Sequence, residues 1–111
     1  MNIKEYNKKY KKEHKKLVKH AKDFKYWDFI FNLRLFVQSL RITLMAWEQP
    51  GMLVQIKDEH NNFDENLEAL RKTVAIGDKL VEELFDYPEQ RDELYKEFWN
   101  LLSVYFTAWW D

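Results

Sequence analysis

The chain has 111 residues, a formal net charge of -1 and no cysteine. This length suits one domain with a single hydrophobic core over residues 1–111. The absence of cysteine excludes disulfides, zinc–thiolate sites and thiol nucleophiles. Two glycines and two prolines are too few for the frequent tight turns of a β-rich fold, so we expect an all-α domain.

The small net charge conceals a strong asymmetry along the chain. Residues 1–25 hold ten lysines against three acids, a net charge of +7. Residues 26–111 hold eight Lys or Arg against sixteen Asp or Glu, a net charge of -8. The split separates a basic N-terminal helix, residues 1–26, from an acidic body, residues 27–111.

Lysines dominate the first predicted helix, residues 3–25. Its less polar residues recur in steps of three and four, the spacing of a helix that docks along one edge. They are Ile3, Tyr6, Tyr10, His14, Leu17, Ala21 and Phe24. The lysines should cover the remaining circumference. They form either a solvated face or a surface for nucleic-acid phosphates, a strongly acidic protein or the acidic body of another copy.

Residues Trp27–Trp47 form the most apolar stretch, and we predict that they are the central helix of the bundle. Their polar residues Arg34, Gln38 and Arg41 recur at i, i+4 and i+7 and therefore share one narrow stripe. Two arginines and several amide and hydroxyl groups interrupt the stretch, which argues against a membrane span. The stripe should face water or pair with carboxylates such as Glu97; a phosphate or ligand site is the alternative.

The ends of the central helix are predicted from breaker and capping residues. A break at residues 24–28, with Asp28 as the N-cap, would separate the basic helix from the central one. One continuous helix over residues 3–48 is the alternative. Pro50-Gly51 should end the central helix, and the short apolar run Met52–Ile56 is predicted as a loop.

From residue 62 to residue 85, apolar residues again alternate in steps of four and three, with Gly77 on the same stripe. This glycine marks either a close approach between two helices or a break at Gly77-Asp78. Asp86–Glu89 has the composition of a turn followed by a helix start. The complete pattern predicts a small antiparallel bundle of about four helices with a Lys-rich N-terminal helix.

The last helix ends in two adjacent tryptophans. Adjacent helical positions point about 100° apart, so Trp109 and Trp110 cannot both face a core. Trp109 continues the apolar stripe, and Trp110 is either an exposed anchor for a partner or a cover over the end of the bundle. We assign partner binding to this tryptophan, to six lysines and to two arginines: Lys8, Lys9, Lys12, Lys15, Lys16, Lys19, Arg34, Arg41 and Trp110.

Catalytic constellations are not evident in the sequence. His14, His20 and His60 are not at the helical spacing of paired metal ligands. Ser39 and Ser103 lie inside predicted helices without a nucleophile-elbow motif, and no Gly-rich phosphate loop is present. We predict a protein that is not an enzyme and needs no cofactor.

One acidic pattern is the exception. Glu65 and Glu68 form an ExxE motif, and Glu83 and Asp86 form an ExxD motif. The pair resembles the motifs with which the all-α MazG-type nucleotide pyrophosphohydrolases hold Mg²⁺ for attack on a nucleoside triphosphate. The resemblance implies a metal site at these four carboxylates. A straight helix would separate Glu65 from Asp86 by about 30 Å, so the site requires a chain reversal at Gly77-Asp78.

The C-terminal half carries a second resemblance. The acidic turn LFDYPEQRDEL, a Leu- and aromatic-rich last helix and a terminal Trp-Trp-Asp resemble uncharacterised small helical proteins of tailed phages over residues 59–111. The resemblance implies a phage source and, by association, a protein that binds and blocks a host or anti-phage defence protein. It brings no catalytic residues.

We therefore expect a phage-encoded interaction module that acts as an inhibitor in the bacterial cytoplasm. The stretch MNIKEYNKKY has no apolar signal-peptide core, which agrees with that location. The alternative function is a nucleic-acid-binding accessory protein that acts through the Lys-rich helix, weakly, without sequence preference and with a steep dependence on salt.

The charge asymmetry also bears on self-association. The basic helix can dock on the acidic body of its own chain or on that of a second copy. The second arrangement predicts a homo-oligomer, most simply a two-fold dimer. We expect no membrane partner, because the apolar stripe of the basic helix is too thin for insertion.

Overall fold

The computed structural model describes residues 2–23, 29–49, 63–82 and 88–110. These residues form four α-helices: α1 (Ile3–Asp23), α2 (Phe29–Glu48), α3 (Phe63–Glu82) and α4 (Pro88–Trp109). Helix accounts for 96% of them, and the described ranges contain no strand. The prediction of an all-α bundle of about four helices is confirmed.

The chain divides into two compact units, residues 1–63 and residues 64–111. The first holds α1 and α2, and the second holds α3 and α4. We call them the α1–α2 unit and the α3–α4 unit. The basic helix therefore shares a unit with the apolar helix that follows it. The single domain over residues 1–111 stays a prediction.

The N-terminus of α1 is capped by its own side chains. The Asn2 side-chain oxygen accepts a hydrogen bond from the Glu5 backbone N–H at 2.8 Å, and the Asn2 side-chain amide donates one to the Glu5 carboxylate at 3.2 Å. This reciprocal arrangement satisfies a backbone donor that the first helical turn leaves without a partner. It fixes the start of a helix that has few apolar side chains.

α1 and α2 pack side by side in opposite directions. Glu13, near the middle of α1, contacts Gln38, near the middle of α2, and His20 near the end of α1 interacts with Arg34 near the start of α2. Residues further along α1 thus meet residues earlier in α2. The alternative of one continuous helix over residues 3–48 is therefore excluded.

The side of α1 that packs inward differs from the predicted stripe. Tyr6 and Glu13 are buried, and Leu17 and His20 are half-buried. Of the predicted stripe, Ile3, Tyr10, His14 and Ala21 are exposed. The inward face is rotated by roughly half of the 100° step between adjacent positions. The prediction is confirmed at Tyr6 and Leu17 and wrong at the four exposed positions, because it placed Glu13, a charged residue, on the outside.

α2 has little exposed surface, as its composition predicts. From Leu33 to Trp47 every residue is buried or half-buried, and Leu40 is completely buried. Within the described ranges, α2 is also the one helix with the length and apolar composition of a membrane-crossing segment. The core helix of a soluble protein meets the same criteria, so this property does not separate the two environments.

α3 is uninterrupted, and Gly77 is buried within it. The break at Gly77-Asp78 does not occur. The inward face of α3 is formed by small and branched residues at helical spacing: Ala69, Leu70, Thr73, Val74, Ile76 and Leu80. The Thr73 hydroxyl is satisfied by donating to the Ala69 carbonyl at 2.7 Å. Such residues let a helix pack closely against a neighbour.

α4 packs antiparallel to α3. Lys72 of α3 forms an ion pair with Glu97 of α4 at 3.1 Å, and Asn66, nearer the start of α3, contacts Trp109 at the end of α4. The buried residues of α4 are Phe98, Leu102 and Trp109. The prediction that Trp109 lies on the buried stripe of the last helix is confirmed.

Several predictions lie outside the described residues. They are the Asp28 N-cap, the Pro50-Gly51 turn, the Met52–Ile56 loop, His60, Glu83, and Asp86 with the turn that it begins.

Candidate functional site

The predicted partner-binding lysines form one exposed surface on α1. Lys8, Lys9, Lys12, Lys15, Lys16 and Lys19 are all exposed, and we call them the basic face. Lys4, Lys11 and Lys22 are exposed as well and extend it along the helix. Lys16 approaches the Glu13 carboxylate at 3.9 Å, a weak surface pair.

Arg34 and Arg41 do not join the basic face. Both are half-buried on α2. The Arg34 guanidinium lies 5.7 Å from the ring centre of Phe31, and Arg41 donates to the side-chain oxygen of Gln38 at 3.4 Å. Of the predicted polar stripe of α2, Gln38 bonds Glu13 of α1 and Arg34 lies near His20 of α1.

The centre of this interface is a buried hydrogen-bonded pair. The Gln38 side-chain amide donates to the Glu13 backbone carbonyl at 2.9 Å and to the Glu13 carboxylate at 2.8 Å. Both side chains are buried. A carboxylate is rarely buried unless it is paired, so the bond from Gln38 to the Glu13 carboxylate is what allows Glu13 to face inward.

His20 lies at the edge of the same interface. Its pKa is lowered from the ordinary value of 6.5, first by burial and then by the nearby positive charge of Arg34. Lys19 and Lys16 add to the effect, and Asp23 opposes it. The imidazole is consequently neutral at neutral pH.

A second exposed surface lies on α4 and on the residue that follows it, Trp110. Trp99, Phe106 and Trp110 are 55%, 42% and 46% exposed, and we call them the aromatic surface. Their spacing of seven and four residues places them on one side of the helix. The Phe106 and Trp110 rings are 4.8 Å apart in an edge-on arrangement. Trp110 is therefore exposed, and its role as an anchor for a partner stays a prediction.

Sequence reasoning missed Trp99 and Phe106. The signal was present at residue 99, because Phe98 continues the core stripe and its neighbour must point about 100° away. The same argument that separated Trp109 from Trp110 separates Phe98 from Trp99. Phe106 has the apolar character of a core residue, and only the structure shows that it lies outside the buried side.

The C-terminal half of α4 carries no charge. Residues 98–110 read FWNLLSVYFTAWW, without a single Lys, Arg, Asp or Glu. The exposed residues around the aromatic surface, such as Asn100, Ser103 and Thr107, are small and uncharged. Depletion of charge together with enrichment in Trp and Phe is the composition of the central part of protein–protein interfaces.

Two contacts hold this end of α4 against the start of α3. The indole N–H of Trp109 donates to the Asn66 backbone carbonyl at 2.9 Å. The Tyr105 hydroxyl donates to the Glu65 carboxylate at 2.8 Å, and the Tyr105 and Trp109 rings stack at 6.5 Å. The aromatic surface is thus displayed on an anchored helix.

The carboxylates of the ExxE pattern do not converge. Glu65 and Glu68 lie on uninterrupted α3, so the reversal at Gly77-Asp78 that the metal site requires does not occur. Glu65 is bonded to Tyr105, and Glu68 pairs with Arg71 at 3.6 Å. Within the described ranges, no group of three or more His, Asp or Glu residues is arranged to hold a metal ion.

No family model, curated protein or solved structure matches this chain. The resemblances to phage accessory proteins and to MazG-type enzymes therefore stay predictions.

Proposed function

We propose that this chain is a non-enzymatic protein-interaction module that binds a protein partner through the aromatic surface of α4. One observation carries the proposal. Three large aromatic side chains are exposed on one side of the C-terminal half of α4 and the residue after it, and residues 98–110 hold no charge. Single exposed apolar residues are ordinary, whereas a contiguous exposed patch marks an interaction site.

The aromatic surface offers enough area for a stable contact. A Trp or Phe side chain buries about 150–250 Å² when it is covered. Trp is also among the residues whose truncation costs most at protein interfaces. The uncharged surroundings reduce the desolvation cost of covering the patch, since no ion has to leave water.

The nature of the partner follows from the resemblance to phage accessory proteins. That resemblance supports a bacterial host or defence protein as the partner, which the module would inhibit in the bacterial cytoplasm. Inhibition by occlusion needs only a rigid surface and no catalytic group. The contacts of Trp109 and Tyr105 with α3 supply such rigidity.

Affinity capture with matched variants tests the proposal. Tagged wild-type protein and the Trp99→Ala, Trp110→Ala double variant are incubated with bacterial lysate, and the bound proteins are quantified by mass spectrometry. Val104→Ala is the control, because Val104 is 62% exposed on a different side of the same helix. We expect one protein to be enriched by the wild type and the control, and at least tenfold less by the double variant.

Two results would contradict the proposal. One is equal enrichment by the double variant when circular dichroism shows that it is folded. The other is Mg²⁺-dependent turnover of a nucleoside triphosphate that Glu68→Gln abolishes, since this would make the chain an enzyme.

A further inference from the structure

We propose that the aromatic surface of α4 pairs with the same surface of a second copy of the chain while no other protein is bound, so that self-association regulates access to it. This inference rests on the proposed function, because it concerns the same surface and names its occupant in the free protein. The two states exclude each other, since a ring that is covered by a second copy cannot contact a foreign protein.

The aromatic surface has the spacing of a stripe along which helices pair. Trp99, Ser103, Phe106 and Trp110 follow one another in steps of four, three and four, and all four are exposed. At about 100° per residue, their positions lie within about 60° of one another around the helix axis. The 4.8 Å separation of the Phe106 and Trp110 rings keeps the last residue on the same side. Steps of three and four are the repeat with which two helices interlock their side chains, and we call these four residues the seam.

The order of residues in the seam is self-complementary. When two copies lie antiparallel about a two-fold axis, steps of four, three and four read the same in both directions. Trp99 then lies opposite Trp110 of the second copy, and Ser103 lies opposite Phe106 of the second copy. A small side chain opposite a large one lets the rings interdigitate, and the two indoles at each end can stack. A parallel pair would instead oppose Ser103 to Ser103 and Phe106 to Phe106, which leaves one layer empty and crowds the next.

The charges of α4 also favour a second copy as the occupant. From Trp99 to Trp110 the chain has no Lys, Arg, Asp, Glu or His, so two seams meet without like charges in contact. At about 1.5 Å per residue, the antiparallel pair brings Lys96 about 5 Å beyond Trp110 of the second copy, near the C-terminus of its α4. This helix has no basic residue in its last turn. A cation is stabilised there by the partial negative charge of the last carbonyl groups, so each copy supplies a charge that the other helix lacks.

The area of the seam predicts a weak pair that a foreign protein can displace. A covered Trp or Phe side chain buries about 150–250 Å², and roughly half of each ring in the aromatic surface is exposed. The three rings therefore contribute about 300 Å² per copy, against about 800 Å² per copy in a standard interface. We expect a dissociation constant of about 1–100 μM for the dimer. A foreign protein that covers the rings and extends beyond them buries more area and replaces the second copy.

This pair differs from the dimer that the charge asymmetry of the sequence predicts. A basic helix on the acidic body of a second copy is held by opposite charges, which salt screens over about 10 Å at 0.1 M. The pair of seams is held by the burial of rings, which added salt does not weaken. The dependence of the dimer on salt therefore separates the two arrangements.

Sedimentation equilibrium of the full chain measures the dimer. We expect its dissociation constant to agree within twofold at 50 and 500 mM salt. Ser103→Glu places two carboxylates near the two-fold axis and should raise the dissociation constant at least tenfold. Val104→Glu is the control, because it adds the same charge at a residue that is 62% exposed and about 130° from the centre of the seam. The control should stay within twofold of the wild type.

Introduced cysteines test the direction of the pair, because the chain has no cysteine of its own. In an equimolar mixture of Trp99→Cys and Trp110→Cys, the antiparallel pair places the two thiols opposite each other and keeps both remaining indoles opposite each other at the other end. After mild oxidation, we expect the disulfide between the two variants to exceed either same-variant disulfide at least fivefold. An excess of same-variant disulfides would indicate a parallel pair and overturn the inference.

A locked dimer tests whether self-association controls access to the aromatic surface. Ser103→Cys places two thiols near the two-fold axis, and oxidation links the two copies there. The oxidised form should capture at least tenfold less of the protein partner than the reduced form. Val104→Cys, oxidised and reduced in the same way, should capture equal amounts in both forms.

Four further results would overturn the inference. They are a monomer at every concentration up to about 500 μM, a dimer that dissociates at 500 mM salt, equal weakening by Ser103→Glu and Val104→Glu, and undiminished capture by the locked dimer. A monomer that still captures a protein partner refutes self-association and leaves the proposed function intact. A dimer that is weakened by Ser103→Glu but captures no protein refutes the proposed function, while the pairing of two copies stands.

Discussion

The Gln38 side chain of α2 donates two hydrogen bonds to Glu13 of α1, one to its backbone carbonyl at 2.9 Å and one to its carboxylate at 2.8 Å. Both residues are buried. One amide thus bonds two acceptors of the neighbouring helix, and this pair lies on the inward side of α1, whereas Tyr10 and His14 are exposed.

Removing the Gln38 side-chain donor should lower the free energy of unfolding. Gln38→Leu leaves the buried Glu13 carboxylate with only the distant Lys16 ammonium at 3.9 Å. We expect the free energy of unfolding, measured by urea denaturation at pH 7, to fall by about 2 kcal/mol or more. Adding Glu13→Leu should recover part of the loss, because both polar partners are then replaced by apolar groups. Additive losses in the double variant would show that the two residues are not coupled.

This pair also shows where prediction from the sequence stops. The spacing of apolar residues predicted the four helices and the burial of α2. It also predicted that Trp109 is buried and that Trp110 points elsewhere. It did not predict which side of α1 faces inward, because a polarity pattern scores each residue separately and contains no information on its partners. Glu13 and Gln38 are each unfavourable in an interior and become favourable only as partners.

The candidate site was predicted about as completely as the fold. The lysines of α1 and Trp110 are exposed as expected, since charge and the adjacent Trp109 require it. Arg34 and Arg41 are half-buried on α2, and their predicted role in partner binding stays a prediction. Arg34 lies near His20 of α1, a proximity that no local pattern contains.

Phe98 and Trp99 are adjacent, but truncating them should lower the free energy of unfolding by very different amounts. Phe98 is completely buried, whereas Trp99 is 55% exposed. Phe98→Ala should lower the free energy of unfolding by about 3–5 kcal/mol through the lost contacts and the cavity. Trp99→Ala should lower it by less than about 1 kcal/mol while weakening partner capture. Equal losses in urea denaturation would contradict the assignment of the two faces.

The terminal tryptophans allow a finer comparison. Trp109→Phe keeps an aromatic ring but removes the indole donor to the Asn66 carbonyl, so we expect a loss of about 1–2 kcal/mol in the free energy of unfolding. Trp110→Phe removes a partly exposed indole and should be nearly neutral. Thermal denaturation followed by far-UV circular dichroism measures both. A larger loss in the free energy of unfolding for Trp110→Phe than for Trp109→Phe would contradict the assignment of Trp109 to the core.

His20 should make stability depend on pH in a defined window. Its pKa is lowered in the folded protein by burial and by Arg34, with smaller effects from Lys19, Lys16 and Asp23. The unfolded chain therefore binds the proton first as the pH falls below about 6.5, and the folded state loses stability. Well above that pH the imidazole is neutral in both states, and this loss of stability is absent.

His20→Gln should flatten this dependence. The free energy of unfolding of the wild type should fall more between pH 7.5 and pH 5.5 than that of the variant, because glutamine does not titrate. A matched His14→Gln variant, changed at an exposed ring, serves as the control. Parallel curves for the wild type and His20→Gln would show that burial of His20 does not govern its protonation.

Photo-crosslinking from the aromatic surface tests the central claim most directly. p-Benzoylphenylalanine is introduced in place of Phe106, and separately in place of Val104, which is exposed on another side of α4. The tagged proteins are irradiated in bacterial cells and their covalent adducts are identified. We predict one dominant protein adduct from position 106, which is absent from position 104. Excess untagged wild-type protein should suppress this adduct, and the Trp99→Ala, Trp110→Ala variant should not. Equal adducts from both positions, or no adduct from position 106 while a partner is still captured, would contradict the assignment of the aromatic surface.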